Sequence, residues 1–267
     1  MMKIGFIGLG NMGGSLARLV AQDERFRSEL LLANRSRDKA EKIAAEVGGQ
    51  PVSNEEVFAQ AEVIFLGVKP AQFEDLLADY QEVLEERDSL LLVSMAAGLT
   101  LEILQKLIPS HHRWIRMMPN TPVAVGEGVI SYALYQQAHQ EDEALFRELL
   151  SSAGLLVKLD EKQLDAATAL AGCGPAFVYL FIEALADAGV RAGLSRDISL
   201  ELANQTLLGA AKLSRVSEQH PAQLKDQVCS PAGSTIAGVA SLEENAFRGT
   251  VMDAVQAAYE RTQELGK

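Results

Sequence analysis

The chain has 267 residues, 48% hydrophobic and 22% charged, with 21 glycines and 8 prolines, a globular balance that excludes intrinsic disorder and collagen-like repeats. Twenty-four basic against 36 acidic residues leave a net charge of −12, which repels phosphate backbones and argues against a nucleic-acid partner. Two cysteines, Cys173 and Cys229, are too few for a disulfide framework and lack metal-ligand spacing, so with no signal peptide in view a reducing cytoplasm is the expected setting.

Short apolar runs alternate with helical segments through the first 110 or so residues. Lys3–Ile7 reads as a buried strand stopped by Gly8, and Ser15–Val20 begins a helix. Leu30–Ala33 is a second strand, and Asp38–Glu46 carries Ala40, Ile43, Ala44 and Val47 at helical spacing before Gly48-Gly49 ends it. Val63–Val68 and Leu90–Met95 read as strands separated by a helical stretch Phe73–Leu84. Such alternation predicts a parallel sheet covered by helices. Further strand-like segments follow at Arg113–Met117, Gly128–Ala133 and Gly154–Leu159.

Near residue 160 the texture changes from α/β to all-α. Pro175–Ala192, Ile198–Ser214, Ala222–Val228 and Leu242–Leu265 read as helices with apolar faces. The expected division is therefore 1–160 and 161–267, joined by a packed junction. No charge occurs from Ala166 to Ile182, but Gly172, Gly174 and Pro175 interrupt that stretch. It falls short of the roughly 20 apolar residues a bilayer requires, so no membrane partner is expected.

Gly8-Leu9-Gly10-Asn11-Met12-Gly13 follows a strand and opens a helix. The first glycine of such a G-x-G-x-x-G permits a tight turn, the second lets backbone approach a pyrophosphate, and the third lets helix pack on strand. The helix N-terminus adds amide donors and partial positive charge. A bare glycine turn is the bland alternative, and the strand–turn–helix context favours dinucleotide binding. NAD-preferring sites carry an acidic residue about 20 positions further on. That place reads Asn34-Arg35-Ser36, which suits a 2′-phosphate and favours NADPH over NADH.

Gly67-Val68-Lys69-Pro70 and Ser94-Met95-Ala96-Ala97-Gly98 end later strands at the carboxyl edge, where open α/β sheets bind ligands. Together with Arg116-Met117-Met118-Pro119-Asn120-Thr121-Pro122, Ala171-Gly172-Cys173-Gly174-Pro175-Ala176 and Ser230-Pro231-Ala232-Gly233-Ser234-Thr235-Ile236, in this order, the chain resembles the pyrroline-5-carboxylate reductase family from end to end. The resemblance implies a Rossmann-type parallel-sheet domain followed by an all-α dimerisation domain, and reduction of 1-pyrroline-5-carboxylate to L-proline by hydride transfer from NAD(P)H. It places the pyrophosphate on Gly8 to Gly13, the adenosine phosphate on Asn34 and Arg35, and the rest of the NADPH path along Asn54, Val68, Lys69, Pro70, Met95 and Ala97. Gln227 falls where many relatives have a cofactor-contacting Asn. Glu161 and the loop Ser230, Gly233, Ser234 and Thr235 match the substrate pocket, with Thr235 in contact with the ring nitrogen. It also implies a two-fold dimer that assembles further into rings. Cys173 replaces a more usual Ser, and Ala232 a Gly, which puts the backbone of that turn in question.

The chemistry expected of that substrate is light on acid–base groups, because a protonated imine is already electrophilic. His111, His112, His139 and His220 are the four histidines; none sits in a catalytic motif, adjacent His111 and His112 do not converge easily on a metal, and no metal site is expected. Read without the resemblance, Ser230–Thr235 is an ordinary helix cap as readily as a carboxylate receptor. Cys173 and Cys229 read as packing residues. The competing readings are a 3-hydroxyacid dehydrogenase-like enzyme and a non-catalytic dinucleotide sensor. The first needs a lysine in a Gly-rich helix at the domain junction, and Gly172 to Leu180 contains none.

Overall fold

The computed structural model describes residues 2–265, so positions 1, 266 and 267 of the expected domain spans lie outside the described residues. The chain divides into two compact units, residues 1–173 with 258–267, and residues 174–257.

In the first unit, β1 (Ile4–Ile7), β2 (Leu30–Ala33), β4 (Val63–Leu66) and β5 (Leu91–Ser94) have every residue buried. Continuous burial is what a parallel strand covered on both faces requires. With β3 (Gln50–Pro51), β6 (Arg113–Pro119), β7 (Gly128–Leu134) and β8 (Gly154–Lys158), they form an eight-stranded sheet in the order β3-β2-β1-β4-β5-β6-β7-β8. Pairing is parallel from β3 to β6; β7 runs antiparallel to β6, and β8 parallel to β7. Two apolar clusters fill the unit, one around stacked Phe6 and Phe65 with centroids 4.7 Å apart, the other around Trp114, Phe58 and Phe73.

Between the strands run α1 (Asn11–Val20), α2 (Glu24–Arg27), α3 (Arg37–Val47), α4 (Asn54–Gln60), α5 (Phe73–Ala78), α6 (Gln81–Glu86), α7 (Leu101–Lys106), α8 (Gln140–Leu149) and α9 (Leu164–Ala167). Gly48 ends α3 in the left-handed region, φ 80°, as helix C-caps favour. A Ser53–Glu56 capping box starts α4.

Three sequence expectations change in the first unit and the run that leaves it. The strand β3 carries no apolar signal because both its residues are exposed at the sheet edge, where Pro51 forfeits no ladder bond. The helix expected over Phe73–Leu84 is interrupted at Tyr80 (φ −120°, ψ 22°), whose ring packs on Phe58 at 5.2 Å between centroids. And the glycines near 172 do not break the helical run: Thr168–Gly172 forms a π-helical turn, and Pro175 falls in the first turn of the next helix, where its missing N–H costs nothing. Glu161–Arg191 thus forms one 31-residue helical run with mean hydropathy 1.7 in its most apolar window. By length and composition it is sufficient to cross a bilayer, contrary to the sequence reading.

The second unit contains α10 (Gly174–Arg191), α11 (Arg196–Val216), α12 (Pro221–Gln227), α13 (Ser234–Glu244) and most of α14 (Phe247–Leu265). α10 and α11 approach so closely that a Cβ on Gly189 would stand 2.6 Å from Ser199 Oγ. The helix expected from Leu242 begins only at Phe247, because Ala246 turns left-handed, φ 54°, behind α13. Little of this unit is buried: Leu180, Leu208, Leu213 and Met252 are each more than half exposed.

Candidate functional site

The strand order reverses at β1, so the carboxyl ends of β1 and β4 flank a crevice. A cleft of about 630 Å3 opens there, with Gly8, Gly10, Arg35, Asn54 and Lys69 among its lining residues. The three glycines behave differently. Gly8 is left-handed, φ 90°, and a Cβ on it would strike Gly67 backbone at 2.7 Å. One on Gly13 would collide with Gly8 O, whereas one on Gly10 would meet nothing within 4 Å. The first and third glycines are therefore needed by packing, and the second leaves the floor of the cleft open for an approaching ligand. α1 begins there with Gly10 as N-cap and no side-chain cap or acidic residue in its first turn, so its leading N–H groups and positive dipole end are available to a pyrophosphate.

Asn34, at the end of β2, accepts from Leu9 N through Oδ1 at 3.0 Å and donates through Nδ2 to Ser36 O at 3.2 Å. Arg35 and Ser36 are exposed and line the cleft, and Ser36 is the N-cap of α3 without a side-chain cap bond. Lys39, in the first turn of α3, lines the same cleft. Among the described residues Arg35, Lys39 and Lys69 have no ion-pair partner. Three unpaired cations around one cleft, on a chain of net charge −12, fit a polyanionic dinucleotide; Asp75 and Asp79 on and behind α5 are the acidic part of the lining. The sequence reading did not name Lys39, although its place three residues after Ser36 on one helix face was a usable signal. Nor did it name Gln72, Asp75 or Asp79, which carry no motif.

The remaining expected cofactor residues surround this cleft or lie elsewhere. Asn54 opens α4, while Val68 and Lys69 precede a 3-10 turn at Pro70–Gln72. Leu9 and Asn11 line an adjoining hollow of about 330 Å3 with Lys39 and Lys42. Met12 packs against the Phe6 cluster. Met95 and Ala97, half-buried on the loop after β5, are outside the cleft lining; Met95 Sδ would stand 3.5 Å from a Cβ on Gly67. In the second unit, Gln227 Nε2 donates to Gln219 Oε1 at 2.7 Å.

Glu161 belongs to the first unit. Its Oε1 accepts from Leu101 N at 2.6 Å and from Arg116 Nη1 at 3.2 Å. Ser230, Gly233, Ser234 and Thr235 belong to the second. Ala232 takes φ 57°, a left-handed conformation that disfavours side chains. Gly233 N donates to Ser230 O at 3.0 Å, and a Cβ on Gly233 would collide with Ser230 Oγ. Gly233 is the N-cap of α13 without a side-chain cap bond, and Ser230, Ser234 and Thr235 are exposed. The leading N–H groups of an 11-residue helix are therefore uncapped by a side chain beside three exposed hydroxyls, a geometry suited to a small carboxylate.

His112 is fully buried. Its Nδ1 accepts from Leu90 N at 3.1 Å and its Nε2 lies 2.9 Å from Leu84 O, which assigns the proton to Nε2. Burial, ahead of all other causes, lowers its pKa. Among the described residues no group of three or more potential metal ligands occurs.

A glycine-turn cleft at the switch point of a parallel sheet, ringed by unpaired cations and followed by a helical unit, defines a nicotinamide-dinucleotide oxidoreductase of the doubly wound class. Residues 3–98 match the family described as NADP oxidoreductase, coenzyme F420-dependent, and residues 161–265 match pyrroline-5-carboxylate reductase dimerisation. Pyrroline-5-carboxylate reductase of Pisum sativum is 45% identical over 264 residues, covering 98% of this chain and 95% of that protein. The crystal structure of Plasmodium falciparum pyrroline carboxylate reductase with NADP bound has a TM-score of 0.87 at 36% identity, covering 100% of this chain and 98% of that one. The pyrroline-5-carboxylate reductase of Coxiella burnetii gives 0.91 at 30% identity, covering 100% and 99%. The chain belongs to the pyrroline-5-carboxylate reductase family.

Proposed function

We propose that this protein reduces 1-pyrroline-5-carboxylate to L-proline with NADPH as hydride donor, and NADH as the second choice. The observation that carries the reading is the cation-ringed glycine cleft in a chain that matches the family from end to end. NADPH, when bound, supplies the hydride that reaches the imine carbon, C2 of the pyrroline ring on the side of nitrogen away from the carboxylate; the imine carbon–nitrogen π pair becomes the lone pair of the product amine.

The chain's own residues bind and orient. Gly10 and the first amides of α1 take the pyrophosphate; Arg35 with Ser36 and Lys39 takes the 2′-phosphate. Asn54, Val68, Lys69, Pro70, Met95 and Ala97 form the rest of the cofactor path, and Gln227 contributes from the helical unit. The free amides at Ser234 and Thr235, presented by the N-cap Gly233, hold the substrate carboxylate with the Ser230 hydroxyl, and Thr235 Oγ1 meets the ring nitrogen. No general acid is required, since the imine enters protonated, and fixing its geometry supplies the rate.

The helical unit builds a two-fold homodimer, and the dimers assemble into rings. The matched dimerisation family and the many exposed leucines of α10 and α11 support this, and a partner helix rather than a bilayer covers the apolar run. Two free, half-buried cysteines suit a cytoplasmic setting. Nucleic acid is not a partner.

One assay tests the activity: NADPH oxidation with 1-pyrroline-5-carboxylate, run beside NADP reduction with 3-hydroxyisobutyrate. Turnover with the imine alone is expected. Turnover with the alcohol alone would assign the 3-hydroxyacid chemistry, and binding of dinucleotide without either turnover a sensor.

A further inference from the structure

The loop that leaves β5 at the carboxyl edge, residues 95–100, is tied at both ends to Arg116: at its start through the strand ladder, and at its end through a half-buried carboxylate that the buried guanidinium holds. At its start, Ser94 is paired with Arg116 across the β5–β6 ladder, and Ser94 Oγ accepts from Ala96 N at 3.2 Å. At its end, Leu101 N donates to Glu161 Oε1 at 2.6 Å. The same oxygen accepts from Arg116 Nη1 at 3.2 Å, while Arg116 Nη2 reaches Asp165 Oδ1 at 3.0 Å. Arg116 is 3% exposed, lies in the interior strand β6 and is not among the cleft-lining residues. A buried guanidinium is costly unless paired, so both carboxylates are held to it and their positions follow its own.

We propose that Arg116 and Glu161 are positioning residues for the nicotinamide end of the cofactor: together they set the height of the Met95–Gly98 loop over Gly67, and so the placement of hydride donor against imine. The inference rests on the reductase reading above. Arg116 acts through Glu161, and Glu161 through the Leu101 amide; neither touches the reacting atoms. Glu161, matched by resemblance to the substrate pocket, is thereby given a different task, because its Oε1 is already shared by an amide and a guanidinium. Asp165 balances the second guanidinium nitrogen and does not reach the loop.

The test uses Glu161→Gln, which keeps an acceptor for Leu101 N but removes the charge that Arg116 grips, and Arg116→Lys, which keeps the charge but cannot reach both carboxylates. Four readouts are taken on each full-length variant: kcat, KM for 1-pyrroline-5-carboxylate, emission of bound NADPH, and affinity for 2′,5′-ADP, a probe of the adenosine half alone. The expected result is a fall in kcat of about tenfold to a hundredfold, as for a misplacement on the order of 1 Å, altered emission of bound NADPH, and unchanged 2′,5′-ADP affinity. Unchanged kcat with unchanged emission overturns the proposal. So does a rise in KM for the imine alone, which makes Glu161 a substrate ligand. Loss of 2′,5′-ADP affinity in step with kcat in Glu161→Gln also overturns it, since that is general unfolding. If the parent protein binds NADPH but does not reduce the imine, the functional reading fails, while the emission and 2′,5′-ADP comparison still decides the loop's placement.

Discussion

Leu9 N donates to Asn34 Oδ1 at 3.0 Å, so the residue that ends β2 holds the glycine turn that follows β1. With Nδ2 engaged by Ser36 O, the Asn34 amide braces the pyrophosphate turn and the start of α3 together. Asn34→Ala therefore loosens the turn without removing a charge. Affinity for NADPH and NADH is expected to fall by a similar factor, about 1–3 kcal/mol for the loss of a partly buried bond. Fluorescence titration with both cofactors checks this, and a selective loss of NADPH would show that Asn34 reads the 2′-phosphate itself.

Arg35 and Lys39 are expected to behave differently. Arg35→Asp puts a carboxylate opposite a 2′-phosphate, so KM for NADPH rises far more than KM for NADH. Lys39→Gln acts in the same direction with a smaller effect, since it removes attraction without adding repulsion. Steady-state kinetics with each cofactor measures the ratio, and equal changes for both would remove these residues from the phosphate site.

The parallel sheet was legible because β1, β2, β4 and β5 are buried on both faces, and an unbroken apolar run is the sequence image of that condition. Likewise, Gly8 and Gly13 are demanded by backbone contacts, so the motif records a local steric need. What was not legible depends on tertiary partners. Tyr80 carries no breaker signal, yet the helix stops there, where its ring packs on Phe58. The bond from Glu161 to Leu101 spans 60 positions, and no spacing rule reaches that far. The continuous run through Gly172 and Pro175 is hidden in the sequence because glycine and proline signal a break, whereas a π turn absorbs the first and a helix start the second.

His112 gives a pH prediction. Its neutral ring accepts from Leu90 N and donates to Leu84 O; protonating Nδ1 would set two donors against each other. Burial is the leading reason its pKa lies below the ordinary 6.5. The unfolded chain therefore binds the proton more readily, so the stabilisation is complete above about pH 6.5 and declines as pH falls below it. Thermal melting between pH 7.5 and 5 should show this decline, reduced in His112→Gln, whose amide can both accept and donate. An identical slope in the variant would place the titrating group elsewhere.

With the exposed leucines of α10 and α11 as its interface, the chain is expected to be dimeric at working concentration. Leu180 and Leu208 are 66% and 58% exposed, and burying an apolar side chain of this size is worth about 1.5–3 kcal/mol. Light scattering should give at least twice the chain mass down to the lowest concentration at which turnover is measurable. A stable, active monomer would refute the assembly.

Thr235 separates catalysis from architecture most cleanly. It stands in the first turn of α13, whose N-cap is Gly233, and among the described residues its hydroxyl makes no hydrogen bond. A capping role therefore has no bond to lose, and Thr235→Ala should leave the melting temperature close to the parent value. In the proposed substrate site, the same hydroxyl meets the ring nitrogen while the neighbouring amides hold the carboxylate. Removing it frees the ring to rotate away from the hydride donor, a loss of about 1–3 kcal/mol, or about one to two orders of magnitude in kcat/KM. NADPH affinity should not change, because the cofactor cleft is built from other residues. Thr235→Ser, which restores the hydroxyl, should recover most of the lost turnover. Kinetics, NADPH titration and thermal melting on one preparation decide the matter: normal kinetics with a lower melting temperature would make Thr235 a structural residue and move the nitrogen contact elsewhere in the loop.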